Sequence, residues 1–185
     1  MPISPVGSPP DSGAAHVILV GLPGAGKSTV GRLLSRRLGV GFLDFDSEIV
    51  KRAGMPITEI FAKGGEDAFR SLERTLSEEV AAMTGSLVLA PGGGWVSQPD
   101  VVALLRRRSR LVYLRISPAG AVRRMGRRMS TRPLLQKADP RRELERLLAS
   151  RRSVYETAEL VVDVENLDAQ RVADDIMRRL TKDPA

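Results

Sequence analysis

Residues 21–29, GLPGAGKST, come directly after the apolar run Val17 to Val20. A buried strand that enters a glycine-rich turn and then a helix opening with Lys-Ser-Thr is the phosphate-binding P-loop. Its glycines let the backbone approach phosphates closely. The N–H groups of the turn and the positive end of the helix dipole attract their negative charge. The motif therefore commits the chain to binding a nucleoside triphosphate.

The P-loop also assigns individual contacts to the nucleotide. Lys27 is expected to reach the β- and γ-phosphates, and the Ser28 hydroxyl to ligate Mg²⁺. The other predicted contacts lie in the loop and at the helix start: Gly24, Ala25, Gly26 and Thr29. The alternative is a glycine turn with an incidental lysine. It is disfavoured because the residues that follow have the apolar spacing of a helix: Val30, Leu33, Leu34 and Leu38.

Length and composition restrict the classes of protein. A chain of 185 residues without cysteine suits one α/β domain and excludes disulfides and Cys-ligated metals. No apolar run approaches the length of a membrane helix, so no membrane partner is expected. Residues 1–15 are rich in Pro, Ser and Gly and lack the pattern of a secretion signal. We therefore expect a disordered tail and a cytoplasmic protein.

The net charge of +7 raises the question of nucleic acid. Most of the excess is arginine between Arg106 and Arg152, where Tyr113 is the single aromatic residue before Tyr155. A surface for stacking bases is therefore not indicated. Arginines near a nucleotide site serve anionic small molecules, and several of them form a solvated basic face. We expect small-molecule substrates and no nucleic acid.

Strand-like and helix-like segments alternate along the chain. The predicted strands are residues 16–20, 42–46, 87–90, 111–116 and 160–164. The predicted helices are residues 27–38, 47–52, 57–61, 66–83, 101–107, 118–124, 140–155 and 168–180. This order predicts a three-layer α/β sandwich, with a five-stranded parallel sheet, in a single domain over residues 16–182. Residues 127–139 have little periodicity and are predicted to form a mobile loop, which we interpret as a lid.

Acids and glycines lie at the carboxyl ends of the predicted strands, where α/β sheets bind ligands. Asp44 and Asp46 are expected to point to the same side of an extended segment, one near a metal and the other near a substrate hydroxyl. We assign Asp44 to the metal with Ser28. Three consecutive glycines, residues 92–94, would let the backbone contact a small anionic or hydroxylated ligand, whereas a tight turn rarely needs three.

Arg70 lies at the margin of the apolar stripe of its helix, one residue after Phe69. Glu73, three residues further on, is placed to orient the Arg70 guanidinium. Spacing alone favours a surface ion pair for these two residues. Arg151 could supply the second arm of a carboxylate clamp, although the adjacent Arg152 leaves the register open.

An ordered set of segments resembles the shikimate kinase family. The segments are GLPGAGKST (21–29), FLDFD (42–46), IFAKGGEDAFRSLE (60–73), PGGGW (91–95), TRPLL (131–135) and RRSVYETA (151–158). The resemblance implies a P-loop kinase of the nucleoside monophosphate kinase type with a closing lid. It implies transfer of the ATP γ-phosphate to the 3-hydroxyl of shikimate, in aromatic amino-acid biosynthesis. Mg²⁺ is the implied cofactor.

The resemblance also implies roles for individual residues. Asp46 corresponds to the substrate aspartate, and it is expected to orient the acceptor hydroxyl or to accept its proton. Further substrate contacts fall on Arg70, Gly92, Gly93, Gly94 and Arg151. The lid arginine falls on Arg132, which would place a charge against the γ-phosphate, so that Lys27, Asp46 and Arg132 form the catalytic set. Arg124, just before the lid, could stack on adenine and contact ATP with Arg132.

Two other functions remain open at this stage. One is another small-molecule P-loop kinase, such as gluconate kinase. The other is a non-catalytic module that binds nucleotide for regulation. Against the second stands the presence of every predicted functional side chain: Lys27, Ser28, Asp46, Arg70 and Arg132. A monomer is expected, because no exposed apolar helix face stands out.

Overall fold

The computed structural model describes residues 16–126 and 139–182. The predicted N-terminal tail and nearly all of the predicted lid, including Arg132, lie outside the described residues. The strands are β1 His16–Val20, β2 Gly41–Asp44, β3 Leu87–Ala90, β4 Ser109–Arg115 and β5 Leu160–Asp163. The helices are α1 Lys27–Leu38, α2 Phe45–Ala53, α3 Ile57–Ala82, α4 Pro99–Arg106, α5 Pro118–Met125, α6 Pro140–Tyr155 and α7 Ala169–Lys182.

The five strands form one parallel sheet in the order β2-β3-β1-β4-β5. Strand β1 lies at the centre, and all five of its residues are buried. The P-loop therefore leaves the middle of the carboxyl edge of the sheet, with the glycine triplet after β3 beside it and the acids after β2 next along. The predicted α/β sandwich is confirmed, and its topology brings the three predicted functional segments together.

Helices cover both faces of the sheet, as the alternating pattern predicts. On one face α1 and α7 pack through apolar residues that include Val30, Leu34, Val172 and Ile176. On the other face α2, α3 and α4 contribute residues that include Ile49, Leu76, Val80 and Leu105. These side chains recur at helical spacing, so each helix buries one stripe. No helix in the described ranges is long and apolar enough to cross a bilayer.

Strand β2 is shorter than predicted, and this moves Asp46. The backbone at Asp44 is extended, and its Oδ1 accepts a hydrogen bond of 3.1 Å from the Ser47 N–H, which caps α2. Helix α2 begins at Phe45, so Asp46 lies in its first turn. The prediction that Asp44 and Asp46 share one side of an extended segment is therefore wrong. The capping preference of aspartate overrides the strand-like apolar alternation of FLDFD.

Helix α3 is two helical segments joined at Gly65, whose φ of 69° and ψ of −169° interrupt the helix. Only glycine adopts this backbone conformation readily. The separate predictions of a turn near residues 57–61 and a longer helix from Glu66 are thus confirmed. The second segment buries Phe69 and Glu73 and directs them toward the end of β3.

His16 lies at the amino end of β1, opposite the carboxyl edge, as expected for a residue at the entry of a strand. It is 1% exposed, and its Nδ1 accepts a 3.1 Å hydrogen bond from the Leu87 N–H. Burial lowers the pKa of the imidazole below 6.5, and the charge of Arg108 acts in the same direction against a backbone hydrogen bond to Val80. His16 therefore joins β1 to the start of β3 as a neutral side chain.

We predict that this histidine makes the fold sensitive to acid. Because its folded pKa is lowered, the unfolded chain binds the proton first, and the stability is present above pH 6.5 and is lost as the pH falls through the folded pKa. His16→Asn keeps an acceptor and does not titrate. Urea unfolding at pH 7.5 and 5.5 should show a larger loss for the wild type than for the variant. Equal losses would contradict the assignment.

Candidate active site

The P-loop has the backbone that its sequence predicts. Gly24 has a φ of 86°, and a Cβ at this position would lie 2.9 Å from the carbonyl oxygen of Ala121. Gly26 precedes α1 as its N-cap residue, and Ala25 is buried beneath the turn. Thr29 lies in the first turn of α1 and is exposed. The loop thus presents its backbone to the carboxyl edge of the sheet, at the positive end of the α1 dipole.

Lys27 and Ser28 in the nucleotide site both donate hydrogen bonds to oxygen atoms of the protein. Lys27 Nζ donates to the carbonyl oxygens of Gly21, at 2.9 Å, and Leu22, at 3.3 Å, which keeps the ammonium over the loop. Ser28 Oγ donates to Asp44 Oδ2 at 2.5 Å. The two predicted metal ligands therefore meet, although α1 and β2 supply them separately.

The Ser28–Asp44 pair fits a magnesium ion. Hydroxyl and carboxylate oxygens are the ligands that Mg²⁺ prefers, and this ion commonly takes one or two protein ligands together with water and phosphate oxygens. No cluster of three or more His, Cys, Asp or Glu side chains within residues 16–126 and 139–182 could hold a metal ion. The hydroxyl and the carboxylate of this pair match the one or two protein ligands that Mg²⁺ takes when phosphate oxygens and water supply the rest.

The first glycine of the triplet separates two carboxylates. A Cβ on Gly92 would lie 2.7 Å from Asp46 Oδ1 and 2.8 Å from Glu73 Oε1. Asp46 comes from α2 and Glu73 from α3, so the absence of a side chain on Gly92 lets two helices bring acids to one point. Although β2 ends at Asp44 and Asp46 belongs to α2, Asp46 still lies against the glycine triplet.

The next two glycines lie against two guanidinium groups. A Cβ on Gly93 would approach Arg151 Nη1 to 3.0 Å, and a Cβ on Gly94 would overlap Cζ, Nη1 and Nη2 of the Arg70 guanidinium. The three glycines thus make room for charged side chains from α2, α3 and α6. This is a physical reason for three consecutive glycines that the sequence does not disclose.

The Arg70 guanidinium is held between two glutamates. Its Nη1 donates to Glu73 Oε2 at 2.5 Å, and its Nε and Nη2 donate to Glu66 Oε1 at 3.1 and 2.7 Å. The predicted Arg70–Glu73 pairing is confirmed. The alternative of a surface ion pair fails, because the Glu73 side chain is 0% exposed. Glu66 is 64% exposed and lies on the solvent side of the guanidinium.

Glu73 is the most perturbed acid of the site. Burial raises its pKa to about 7, Arg70 and Arg151 oppose the shift, and the nearby Asp46 carboxylate adds to it. Gln98 Nε2 donates to the same oxygen as Arg70, Oε2, at 3.1 Å. The sequence analysis missed Gln98, and no signal could have found it, since a lone glutamine before Pro99 belongs to no motif.

Arg151 is the second guanidinium that lies against the glycine triplet. It is 5% exposed, and its Nε and Nη1 are buried without a hydrogen-bond partner among the described residues. Arg152 is 72% exposed and pairs with Glu156, so burial favours Arg151 over Arg152 for the position that the sequence left open. Beside Arg151 the Tyr155 ring stacks on Tyr113 with centroids 4.8 Å apart. Buried donors without partners are disfavoured unless a ligand accepts from them.

Arg124 lies at the end of α5, beside the P-loop. Its Nη2 donates to the carbonyl oxygens of Val164 and Leu167, the latter at 2.8 Å. The guanidinium therefore connects the P-loop side of α5 to the segment after β5. The predicted contact with adenine stays a prediction. The predicted role of Arg132 also stays one, because this residue lies outside the described ranges.

A P-loop with a hydroxyl–carboxylate pair, next to a glycine triplet that two arginines and two acids approach, is the arrangement of a P-loop kinase of a small anionic acceptor. The family model described as shikimate kinase matches residues 23–181. The chain belongs to the shikimate kinase family and is an ATP-dependent kinase.

Individual relatives agree with this family. The chain is 41% identical to shikimate kinase from Moorella thermoacetica over 165 residues, which cover 89% of this chain and 94% of that protein. It is 44% identical to shikimate kinase from Thioalkalivibrio sulfidiphilus, with coverage of 89% and 86%. Among solved structures, shikimate kinase from Acinetobacter baumannii in complex with shikimate has a TM-score of 0.85 at 36% identity, covering 91% of this chain and 94% of that one. A gluconokinase from Sinorhizobium meliloti, with a TM-score of 0.58 at 20% identity over 91% and 94% of the two chains, shares the fold alone.

We predict that Gly94→Ala damages the acceptor site specifically. The new methyl group would displace the Arg70 guanidinium, and the loss of one charge-assisted hydrogen bond of ~1.5–3 kcal/mol weakens binding roughly ten- to a hundredfold. The Michaelis constant for the acceptor should rise by this factor while that for ATP stays within about twofold. Ser71→Ala, an exposed change on α3, is the matched control. An unchanged acceptor constant in Gly94→Ala would refute the arrangement.

Proposed function

We propose that this protein transfers the γ-phosphoryl group of ATP to the 3-hydroxyl of shikimate, giving shikimate 3-phosphate and ADP for aromatic amino-acid biosynthesis. The observation that carries the proposal is the buried Arg151, whose Nε and Nη1 have no hydrogen-bond partner among the described residues and whose guanidinium lies against Gly93, next to Gly94 and Arg70. Two guanidinium groups converging beside a P-loop suit an acceptor with a carboxylate. The membership in the shikimate kinase family supports the same acceptor.

The acceptor carboxylate would bind between the two arginines. Arg151 would donate from Nη1 and Nε, which have no partner among the described residues. Arg70 would donate from Nε and Nη2, which now donate to Glu66. Because Glu66 is largely exposed, water can replace the interaction when the acceptor displaces it, whereas the buried Glu73 keeps its hold on Nη1. The buried Glu73 therefore fixes the orientation of the Arg70 guanidinium, and the solvent-facing edge of the guanidinium can bind the acceptor.

The acceptor hydroxyl would be oriented by Asp46. This carboxylate lies at Gly92, on the side of the acceptor pocket nearest β2 and the P-loop. It can accept a hydrogen bond from the hydroxyl and receive its proton as the phosphoryl group transfers. A loose transition state demands little base strength, so orientation is the larger part of the effect. The backbone of residues 92–94 supplies further hydrogen bonds to the acceptor.

The nucleotide would be bound by the P-loop backbone, Gly24 to Gly26, and by Thr29 at the start of α1. Lys27 would exchange its two carbonyl partners for the β- and γ-phosphates. Ser28 and Asp44 would hold Mg²⁺, which neutralises charge on the phosphates when it is bound. Full ADP release in the presence of excess EDTA would contradict the metal assignment.

Two arginines complete the proposed nucleotide site. Arg124 is proposed to stack on adenine, and its hydrogen bonds to the segment after β5 support a position beside the P-loop. Arg132, in the proposed lid, would bring a positive charge to the γ-phosphate and help to exclude water. Both residues act on the phosphoryl donor rather than on the acceptor.

We propose that the enzyme acts in the cytoplasm as a monomer, without nucleic acid or a membrane as partner. Many exposed arginines pair with acids of their own helix or a neighbouring one: Arg52, Arg74, Arg141, Arg152 and Arg178 are examples. These pairs reduce the basic field that nucleic acid would require. Light scattering on the purified protein measures the oligomeric state directly.

A coupled assay of ADP release tests the proposed reaction. MgATP is supplied with shikimate, with gluconate, with AMP or with no acceptor. Release of ADP with shikimate alone is the expected result. Release with gluconate instead would keep the P-loop assignments and overturn the acceptor site. Folded protein that binds ATP and releases no ADP with any acceptor would favour a non-catalytic nucleotide-binding module.

A further inference from the structure

The two oxygens of the buried Glu73 carboxylate have unequal surroundings. Oε2 accepts hydrogen bonds from Arg70 Nη1, at 2.5 Å, and from Gln98 Nε2, at 3.1 Å. Oε1 has no hydrogen-bond partner among the described residues, although it is buried. A buried carboxylate oxygen without a donor is unfavourable when the group is ionised. If Glu73 Oε1 carries a proton, Asp46 Oδ1 is a nearby acceptor for it. Both oxygens lie within 2.8 Å of the position that a Cβ on Gly92 would occupy.

The charges around Glu73 come from three helices. Arg70 lies on α3 itself, Asp46 on α2 and Arg151 on α6, and the uncharged Gln98 lies at the start of α4. Apart from Glu66, which is largely exposed and would leave Arg70 when the acceptor binds, two guanidinium groups and two carboxylates make up the site, and these four groups are neutral together when both acids are ionised. An acceptor carboxylate adds one negative charge in a space with little water. Nearby like charge and burial both disfavour ionised carboxylates, so the added charge favours protonation of an acid in the site.

We propose that the acceptor binds together with one proton, which Glu73 takes up on Oε1 and donates toward Asp46 across Gly92. The inference rests on the proposed function, because it requires an acceptor with a carboxylate. The proton comes from solvent, and the O–H bond of Glu73 is the only bond formed. Oε2 stays the acceptor for Arg70 and Gln98, so neither hydrogen bond is lost.

The proton would serve the reaction in two ways. A neutral Glu73 no longer repels the Asp46 carboxylate, which can accept a hydrogen bond from the acceptor hydroxyl. A neutral Glu73 also leaves the positive charge of Arg70 and Arg151 to the acceptor carboxylate. Glu73 is therefore a positioning residue that adjusts the charge of the site to an anionic acceptor. Its pKa of about 7 makes the proton available at physiological pH.

Calorimetry on the wild-type protein tests the proton directly. Binding of shikimate is measured at pH 8 in HEPES and in Tris, two buffers with different enthalpies of ionisation. The dependence of the binding enthalpy on the buffer gives the number of protons exchanged. We expect net proton uptake at pH 8 and close to none at pH 5.5, where Glu73 already carries a proton in the free enzyme.

The affinity for shikimate should depend on pH, because binding is linked to the uptake of a proton. Between pH 7 and 9 the dissociation constant for shikimate should rise by up to about tenfold per pH unit, until the pKa of the complex is reached. Binding without proton exchange at pH 8, or with proton release, would overturn the inference and leave the proposed reaction intact. An enzyme that neither binds nor phosphorylates shikimate would overturn the proposed function, and the inference with it.

A matched pair of variants assigns the proton to Glu73. In Glu73→Gln the amide oxygen can accept from Arg70 and Gln98, and the amide N–H group can donate toward Asp46, so the variant imitates the protonated acid. It should bind shikimate within about threefold of the wild type at pH 6 and show neither proton uptake nor loss of affinity up to pH 9. Glu79→Gln, an exposed change on the same helix, should retain both. Proton uptake that persists in Glu73→Gln would refute the assignment, and the wild-type calorimetry decides the proposal if the variant does not fold.

Discussion

The acceptor site depends on packing charged side chains against the backbone of three consecutive glycines, residues 92–94. Asp46 and Glu73 approach Gly92, and Arg70 approaches Gly94, so closely that a Cβ at either glycine would collide with them, and a Cβ at Gly93 would crowd Arg151. Burial of an unpaired charge is strongly unfavourable, and opposite charges offset that cost when geometry and hydrogen bonds are good. The glycine triplet permits this geometry, and the arrangement leaves donors of Arg151 for a ligand.

The topology of the sheet connects this site to the nucleotide. Strand β3 lies between β2 and β1, so the acceptor pocket after β3 has the P-loop on one side and the acids after β2 on the other. Asp44 ends β2 and contacts Ser28, while Asp46 begins α2 and contacts Gly92. The change from strand to helix within two residues separates the two carboxylates. One segment can thereby serve the phosphoryl donor and the acceptor.

Much of this could be predicted from the sequence, because local patterns determine it. The P-loop and the alternation of strands and helices follow from motifs and spacing, and the resemblance to the shikimate kinase family indicates Asp46, Arg70 and Arg151. What could not be predicted depends on contacts between distant segments. FLDFD has strand-like alternation, but capping by Asp44 ends the strand. Glu73 has the spacing of a surface ion pair, but α4 and the glycine triplet bury it and give it Gln98 as a partner.

The central claim is that two guanidinium groups recognise the carboxylate of the acceptor. The most direct test compares shikimate with its uncharged carboxamide as substrates of the wild type and of Arg70→Ala. The account predicts that kcat/KM of the wild type falls roughly a hundredfold or more for the amide, since two charge-assisted hydrogen-bonding groups lose their partner. The preference for the charged substrate should shrink at least tenfold in Arg70→Ala. An equal preference in both enzymes would contradict the account, because it would place the carboxylate away from Arg70.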